Sequence, residues 1–411
     1  MGLAELRDKI QKHSKGMHVS ILSQSEIASN REVLYTPAYD LNRILSGSLF
    51  KGISNKTFTL FTGPEATGKS SFMCLCLAEA QKQGYTPIII DTEGAWETNF
   101  VERWGMDADN MLYIYTPWVD KVMVTLGQLI DSGDQKLAVI IDSIGGLEKI
   151  KLVNDSVDGT PKADQGTLQK EIKRMLKMLL FVCKGQQSIA MAAGHYYGSP
   201  TSYGNTDEIG GGKFLKMAAD VLVALKKYPL YENPNGNSRK EKGAILGNNI
   251  KAITLKNRYY PPFQEAVVSI DYRDGINSYA GMLDLAIKAG LASIGGSWFT
   301  INGQKYQGSI NALEGLKNDK EILGKLDKFL EKTGYSTINE NVAEVQKIIN
   351  DEDRQVESEL EQEIEEEIEE EIERMPSVEE IEMEIEAIGP TPKKTRTNSK
   401  KIESKPIRKK K

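Results

Sequence analysis

Histidine and cysteine are both scarce, at three residues each in a chain of 411. Cys74, Cys76 and Cys183 have no zinc-ligand spacing and frame no disulfide scaffold, so they read as reduced, structural thiols of a cytoplasmic protein. Long apolar stretches are missing as well. No run reaches the 18 residues that a membrane-spanning helix needs, which removes a membrane partner. The opening MGLAELRDKIQKHSKG is amphipathic and charged and has no signal-peptide core. Nor is there a basic excess, since the net charge is −6. Bulk charge therefore advertises no anionic partner.

What is present is a soluble composition, 40% hydrophobic and 27% charged, with its charge unevenly spread. Residues 351–388 hold 19 acidic and 2 basic side chains, whereas 389–411 hold 10 basic and 1 acidic. The remaining 1–350 are near neutral, with 40 basic and 38 acidic residues. The composition predicts a folded body followed by an acidic and then a basic tail, 351–411, largely disordered. In ELEQEIEEEIEEEIER the residues Leu360, Ile364, Ile368 and Ile372 would line up as a narrow apolar ridge on a helix, which like-charge repulsion opposes.

Residues 1–14 read as a short helix and MHVSILS as a strand, giving an N-terminal arm over 1–32. A core over 33–280 follows. Unalternating apolar strands (TFTLF, TPIIIDTE, LAVIIDS, SIAMAAG) are separated by helices such as SSFMCLCLAEAQKQ and TLQKEIKRMLKMLLFVCKG. In the latter, Ile172, Leu176, Leu179 and Leu180 mark the buried face. That pattern predicts an α/β fold with a mostly parallel sheet covered by helices on both faces. The alternating NIKAITLKN and EAVVSIDY predict that the sheet finishes in antiparallel hairpins. Residues 281–350, with GMLDLAIKAGL, SINALEGLKN and KEILGKLDKFLEKTG, suggest a small C-terminal α/β domain.

The chemistry concentrates in GPEATGKSS, Gly63–Ser71, which matches G-x-x-x-x-G-K-[ST] between a strand and a helix. The stretch Gly63, Pro64, Glu65, Ala66, Thr67, Gly68, Lys69, Ser70 and Ser71 would wrap backbone N–H groups around phosphate oxygens at a helix N-terminus. Lys69 adds a point charge for the β and γ phosphates, and Ser70 a hydroxyl for Mg²⁺. Asp142 ends the strand LAVIIDS, where a carboxylate reaches the Mg²⁺ shell; a helix cap at this position is the alternative. Glu93 ends another strand and could orient or deprotonate water, but Asp91 is a rival on spacing alone. His195 ends SIAMAAG, in a strand expected beside that of Asp142.

The blocks LFTGPEATGKSS, IIIDTEGAW, AVIIDSIGGL, IGGGKFLKMAADV, ITLKNRYYPPF and DGINSYAGMLDLAIKAGL, over about residues 33–320, resemble the RecA family of homologous-recombination ATPases, phage-encoded members included. The resemblance implies a RecA-type P-loop core, and an N-terminal strand in KGMHVSILSQSE that packs on the neighbouring protomer. It implies Glu93 rather than Asp91 as the catalytic glutamate, and Phe100 against adenine with Glu97 near the same base. It also implies His195 as the γ-phosphate switch, where bacterial members usually carry Gln. Lys256 and Arg258 fall on two cations that reach the neighbour's phosphates.

Two DNA-binding loops are implied, near 154–166 and in HYYGSPTSYGNTDEIGGG. In the second, Tyr196, Tyr197 and Tyr203 offer stacking faces, while Gly204, Asn205, Gly211, Gly212 and Lys213 offer flexible backbone and a cation. Asp207 and Glu208 argue against a simple phosphate grip. The implied cofactors are ATP and Mg²⁺. The implied partners are single-stranded DNA, homologous duplex DNA, further copies in a helical filament, and single-strand-binding and loading proteins. The location would be the cytoplasm, that of the host for a phage-encoded member. The function implied is ATP-dependent strand exchange; a closed-ring motor and an ATP-switched scaffold are the rivals.

Overall fold

The computed structural model describes residues 2–13, 19–25, 28, 30–133, 135–151, 166–195, 212–232, 243–319 and 321–333. Its largest element is one sheet of nine strands in the order β3-β2-β4-β5-β1-β6-β7-β8-β9. Strands β1 (Thr57–Gly63), β2 (Thr86–Asp91), β3 (Leu112–Tyr115), β4 (Leu137–Asp142), β5 (Ile189–His195) and β6 (Val221–Tyr231) run parallel. Strands β7 (Ile245–Asn257), β8 (Glu265–Asp271) and β9 (Gly275–Asn277) complete it as an antiparallel meander, the hairpin ending that their alternation anticipates.

The described helices are α1 (Leu3–His13), α2 (Tyr39–Ser46), α3 (Lys69–Lys82), α4 (Thr98–Arg103), α5 (Val119–Asp131), α6 (Thr167–Gly185), α7 (Lys213–Ala218), α8 (Met282–Lys288), α9 (Ser309–Asn318) and α10 (Ile322–Thr333). The sheet's two faces explain the unalternating strands. In β4, Leu137, Val139 and Ile141 pack with Val122 and Leu126 of α5 and Leu176 and Leu179 of α6. Ala138 and Ile140 point the other way, onto Met73 and Leu77 of α3. Successive strand residues point to opposite faces, so a sheet covered on both must be apolar at every position. Along α6, Ile172, Met175, Leu176, Leu179, Val182 and Cys183 are buried at helical spacing; Leu180 lies at the edge of this stripe, half-buried.

A third core lies around α8, α9, α10 and a small antiparallel sheet of β10 (Ala292–Gly295), β11 (Trp298–Ile301) and β12 (Gln304–Gln307). Met282, Phe299, Ile301, Leu316, Leu326 and Leu330 fill it, and Leu49 enters it from outside. Asp327 of α10 accepts hydrogen bonds from the Ser48 hydroxyl at 2.9 Å and the Leu49 N–H at 2.7 Å, which fastens that entry.

Two elements differ from the sequence expectation. The strand expected in MHVSILS is not formed in its described part, where Leu22–Gln24 makes a 3₁₀ turn. A strand takes its hydrogen bonds from a neighbour, and no described strand of this chain pairs with the segment. Strand β3 was not anticipated: its residues are mostly exposed on the sheet's edge, so it lacks the apolar run that marks its neighbours. The tail 351–411 and the acidic ridge lie outside the described residues.

Candidate functional site

The carboxyl ends of the parallel strands converge. Pairing aligns Gly63 of β1 with His195 of β5, and Asp91 of β2 with Asp142 of β4, while β4 and β5 are neighbours. Four separated sequence blocks thus end along one edge of the sheet, where open α/β sheets bind ligands. A cavity of about 590 Å³ opens there, lined by Glu65–Ser71 together with Glu93, Ala95, Trp96, Phe100, Asp142 and His195.

The loop's path explains its glycines. Gly68 has φ +90°, a left-handed conformation that leads directly into α3. A Cβ on Gly63 would sit 2.6 Å from the Leu225 carbonyl oxygen. The Thr67 hydroxyl donates to the Pro64 carbonyl at 2.8 Å. Lys69, almost fully buried, donates through Nζ to the carbonyls of Gly63 (3.0 Å) and Pro64 (2.8 Å). Burial pushes the Lys69 ammonium below its ordinary value, and the carboxylates of Asp142, Glu93 and Glu65 oppose that shift.

Asp142 is where the loop meets the sheet. Its Oδ2 accepts the Ser70 hydroxyl at 2.6 Å and the Trp96 indole N–H at 2.8 Å. Burial raises its carboxyl above the usual range; these two donors counteract the rise, and the charges of Glu93 and Asp91 add to it. The rivalry between Asp91 and Glu93 has a structural counterpart. Asp91 is fully buried and occupied: it accepts the backbone N–H groups of Glu93, Gly94 and Trp96 and the Tyr113 hydroxyl. Glu93 faces the cavity with its side chain 44% exposed.

The Ser143 hydroxyl donates to Glu93 Oε1 at 2.6 Å, and His195 Nε2 lies 3.1 Å from both of those oxygens. With the hydroxyl committed to Glu93, the ring's Nε2–H is the donor to the pair. Burial alone would raise the Glu93 carboxyl, but Ser143, His195 and Lys69 together hold it below the ordinary carboxylate range. Thr92 braces the arrangement, donating to the Ser143 carbonyl at 2.8 Å and accepting the Ser143 N–H at 2.9 Å.

Phe100 lines the cavity from α4, while Glu97 immediately precedes that helix and is exposed. Lys256 and Arg258 stand elsewhere. Lys256 Nζ donates to the carbonyls of Lys216 and Met217, and Arg258 forms an ion pair with the buried Asp220 at 3.2 Å. Asp220 also pairs with Lys184 and accepts the N–H of Phe58. Phe58 is at the start of β1, five residues and about 17 Å of strand from Gly63. These cations therefore lie toward the opposite edge of the sheet from the Gly63–Ser71 loop. Of the residues expected to meet DNA, Tyr196, Tyr197, Tyr203, Gly204, Asn205 and Gly211 lie outside the described residues, as does most of 154–166. Gly212 (φ +81°) precedes α7 and Lys213 opens it.

Trp96, Thr92, Ser143 and Asp220 were given no role by sequence reasoning. A lone acid at the head of the apolar run DVLVAL was the available signal for Asp220; the bonds of the other three depend on which strands are neighbours.

The residues present fit a nucleotide with its metal. A cation, a glycine-shaped turn at the start of a 14-residue helix, and a hydroxyl–carboxylate oxygen pair suit phosphates and Mg²⁺. No described helix is long and apolar enough to cross a membrane. The family model described as RecA N-terminal domain matches residues 4–277. Among similar proteins, Protein RecA of Caulobacter vibrioides is 27% identical over 280 residues, covering 66% of this chain and 73% of that one. Protein RecA of Rickettsia canadensis is 26% identical over 323 residues, covering 76% and 90%. That of Bartonella bacilliformis is 26% identical over 345 residues, covering 81% and 92%. With the family match extending over more than half of the chain, from the N-terminal helix to the last strand of the nine-stranded sheet, this protein belongs to the RecA family.

Proposed function

We propose that this protein is an ATP-dependent DNA strand-exchange recombinase. It polymerises on single-stranded DNA, pairs that strand with homologous duplex, and hydrolyses ATP between protomers. The observation that carries this reading is the separation of Lys256 and Arg258 from the phosphate loop of the same chain. Cations at one edge of the sheet and a phosphate loop at the other make a site that is complete only between two copies. That arrangement supports assembly by nucleotide.

Within the site, Lys69 binds the β and γ phosphates and Phe100 packs on the base, with Glu97 beside it. Ser70 and Asp142 would hold Mg²⁺, which when bound neutralises phosphate charge. Glu93, kept ionised by Ser143 and His195, orients the attacking water and accepts its proton. His195 senses the γ-phosphate through its hold on Glu93 and passes the signal into the loop that follows it. Phosphoryl transfer needs mainly positioning and charge stabilisation, and these residues are of the kinds that supply both.

The test is strand exchange by the purified full chain, with circular single strands, homologous linear duplex and ATP. Joint molecules are expected. DNA binding without joint molecules would instead favour a scaffold, and discrete rings in electron micrographs would favour a motor.

A further inference from the structure

Trp96 occupies a position in this site that neither phosphate binding nor water activation explains. Its side chain is buried, yet it lines the cavity between two regions assigned to different parts of the nucleotide. On one side its ring meets Phe100 edge-on, with centroids 5.6 Å apart at 81°. On the other its Nε1–H donates to Asp142 Oδ2 at 2.8 Å. Its backbone N–H is itself held by Asp91 at 3.1 Å. The side chain is thus fixed at its root by one strand end and bonded at its tip to the next.

The chemistry of the indole sharpens its role. An indole nitrogen is a donor only and cannot ligate a metal. The other donor to Asp142 Oδ2 is the Ser70 hydroxyl, whose oxygen is itself a candidate metal ligand. Ser70 would ligate a cation through an oxygen lone pair while its O–H still donates to Asp142, and Trp96 would hold the same carboxylate oxygen beside it. Outer partners of this kind fix the orientation of a metal ligand and change metal affinity when removed. The edge-on contact with Phe100 is directional, so a displacement of Phe100 is transmitted to the indole and on to the Asp142 carboxylate.

We propose that Trp96 is a positioning residue that couples the base-binding end of the site to its metal-binding end, so that an occupied base pocket presets Asp142 for Mg²⁺. This rests on the ATP-site reading above. It adds a link that a phosphate loop and a strand-end aspartate do not by themselves provide.

The test uses the full-length chain and a fluorescent N-methylanthraniloyl ATP analogue. Its binding is followed by fluorescence anisotropy in EDTA and then across a Mg²⁺ titration. Trp96→Phe keeps an aromatic ring against Phe100 and removes only the donor to Asp142. The Mg²⁺ midpoint is expected to rise roughly tenfold, as for the loss of a hydrogen bond to a charged group, with a much smaller change in EDTA. Trp96→His, which returns a ring N–H, should recover part of the shift. An unchanged midpoint in folded Trp96→Phe, or an equal loss with and without Mg²⁺, overturns the proposal. Should Trp96→Phe fail to fold, Phe100→Ala gives the second reading. It should move the Mg²⁺ midpoint severalfold in addition to weakening binding in EDTA, and an unmoved midpoint again overturns the coupling. If the unmodified chain does not bind the analogue at all, the nucleotide-site reading fails, and the coupling with it.

Discussion

His195 Nε2 lies 3.1 Å from Glu93 Oε1, although 102 residues separate the two in the chain. They meet because β5 and β2 flank β4, and the Ser143 hydroxyl fills the corner between them. Glu93, an exposed carboxylate lining the cavity, is therefore held by two neighbours at its Oε1. On the proposed reading it is held ready for water.

Glu93→Gln should bind ATP with an affinity close to that of the unmodified chain and slow hydrolysis by about 10²- to 10⁴-fold, the range of a lost general base. Phosphate release measured beside nucleotide binding checks this. A loss of only twofold or threefold would remove the assignment.

Sharing of sites between copies can be tested by mixing. Lys69→Ala chains and Arg258→Ala chains should each be nearly inactive alone. Mixed, they should recover a fraction of the DNA-stimulated ATPase, because some interfaces then unite an intact phosphate loop with an intact Arg258. Arg258→Ala should still fold, since Asp220 keeps Lys184 and the Phe58 N–H as partners. No recovery at any mixing ratio would mean that the cations act within their own chain or not at all.

Glu32 supplies a pH test away from the site. The Tyr85 hydroxyl donates to it at 2.7 Å and Lys136 lies 3.0 Å away. The Tyr85 hydrogen bond lowers its carboxyl, burial opposes this, and Lys136 lowers it further, for a net depression. A carboxyl depressed in the folded state adds stability above its unfolded value of about 4.3 and loses that stability as pH falls through the folded value. Glu32→Gln should therefore lower stability at pH 7 by under about 1 kcal/mol, given how exposed the pair is, and by nothing near pH 2. Melting curves at the two pH values provide the comparison; an equal deficit at both would contradict the linkage.

Tyr203→Ala tests the stacking role expected of the tyrosine-rich segment. Loss of one stacked base should weaken single-stranded DNA binding by about 1–3 kcal/mol, roughly five- to 150-fold, with ATP binding intact. Unchanged DNA affinity would reject that role.

The loop proposed for phosphate was legible because its signal is local. Gly63–Ser71 are contiguous, and the strand before and helix after them follow from composition alone. Asp142 and His195 were legible as strand ends, and the order of strands then brought them to one edge. Choosing Glu93 over Asp91 was beyond spacing, because both are acids at the end of β2. What separates them is occupancy: Asp91 spends its oxygens on three backbone N–H groups and a tyrosine. The Trp96–Asp142 bond and the Thr92–Ser143 clasp cross between β2 and β4, and no periodicity within one segment encodes a bond to another. The N-terminal strand is not formed in its described part within one chain for a related reason: its apolar pattern is local, but the partner expected for it lies on a neighbouring protomer.

On the proposed reading, the position of the Asp220 cluster would give an assembled row of these molecules two unlike ends. If each phosphate loop is completed by the next copy's Arg258, a row always has one fewer finished site than members. One terminus carries a loop that nothing completes, and the other carries a cation with no nucleotide to serve. Turnover per molecule would then climb with row length toward a plateau, and the two termini would shed subunits at different rates in the same solution.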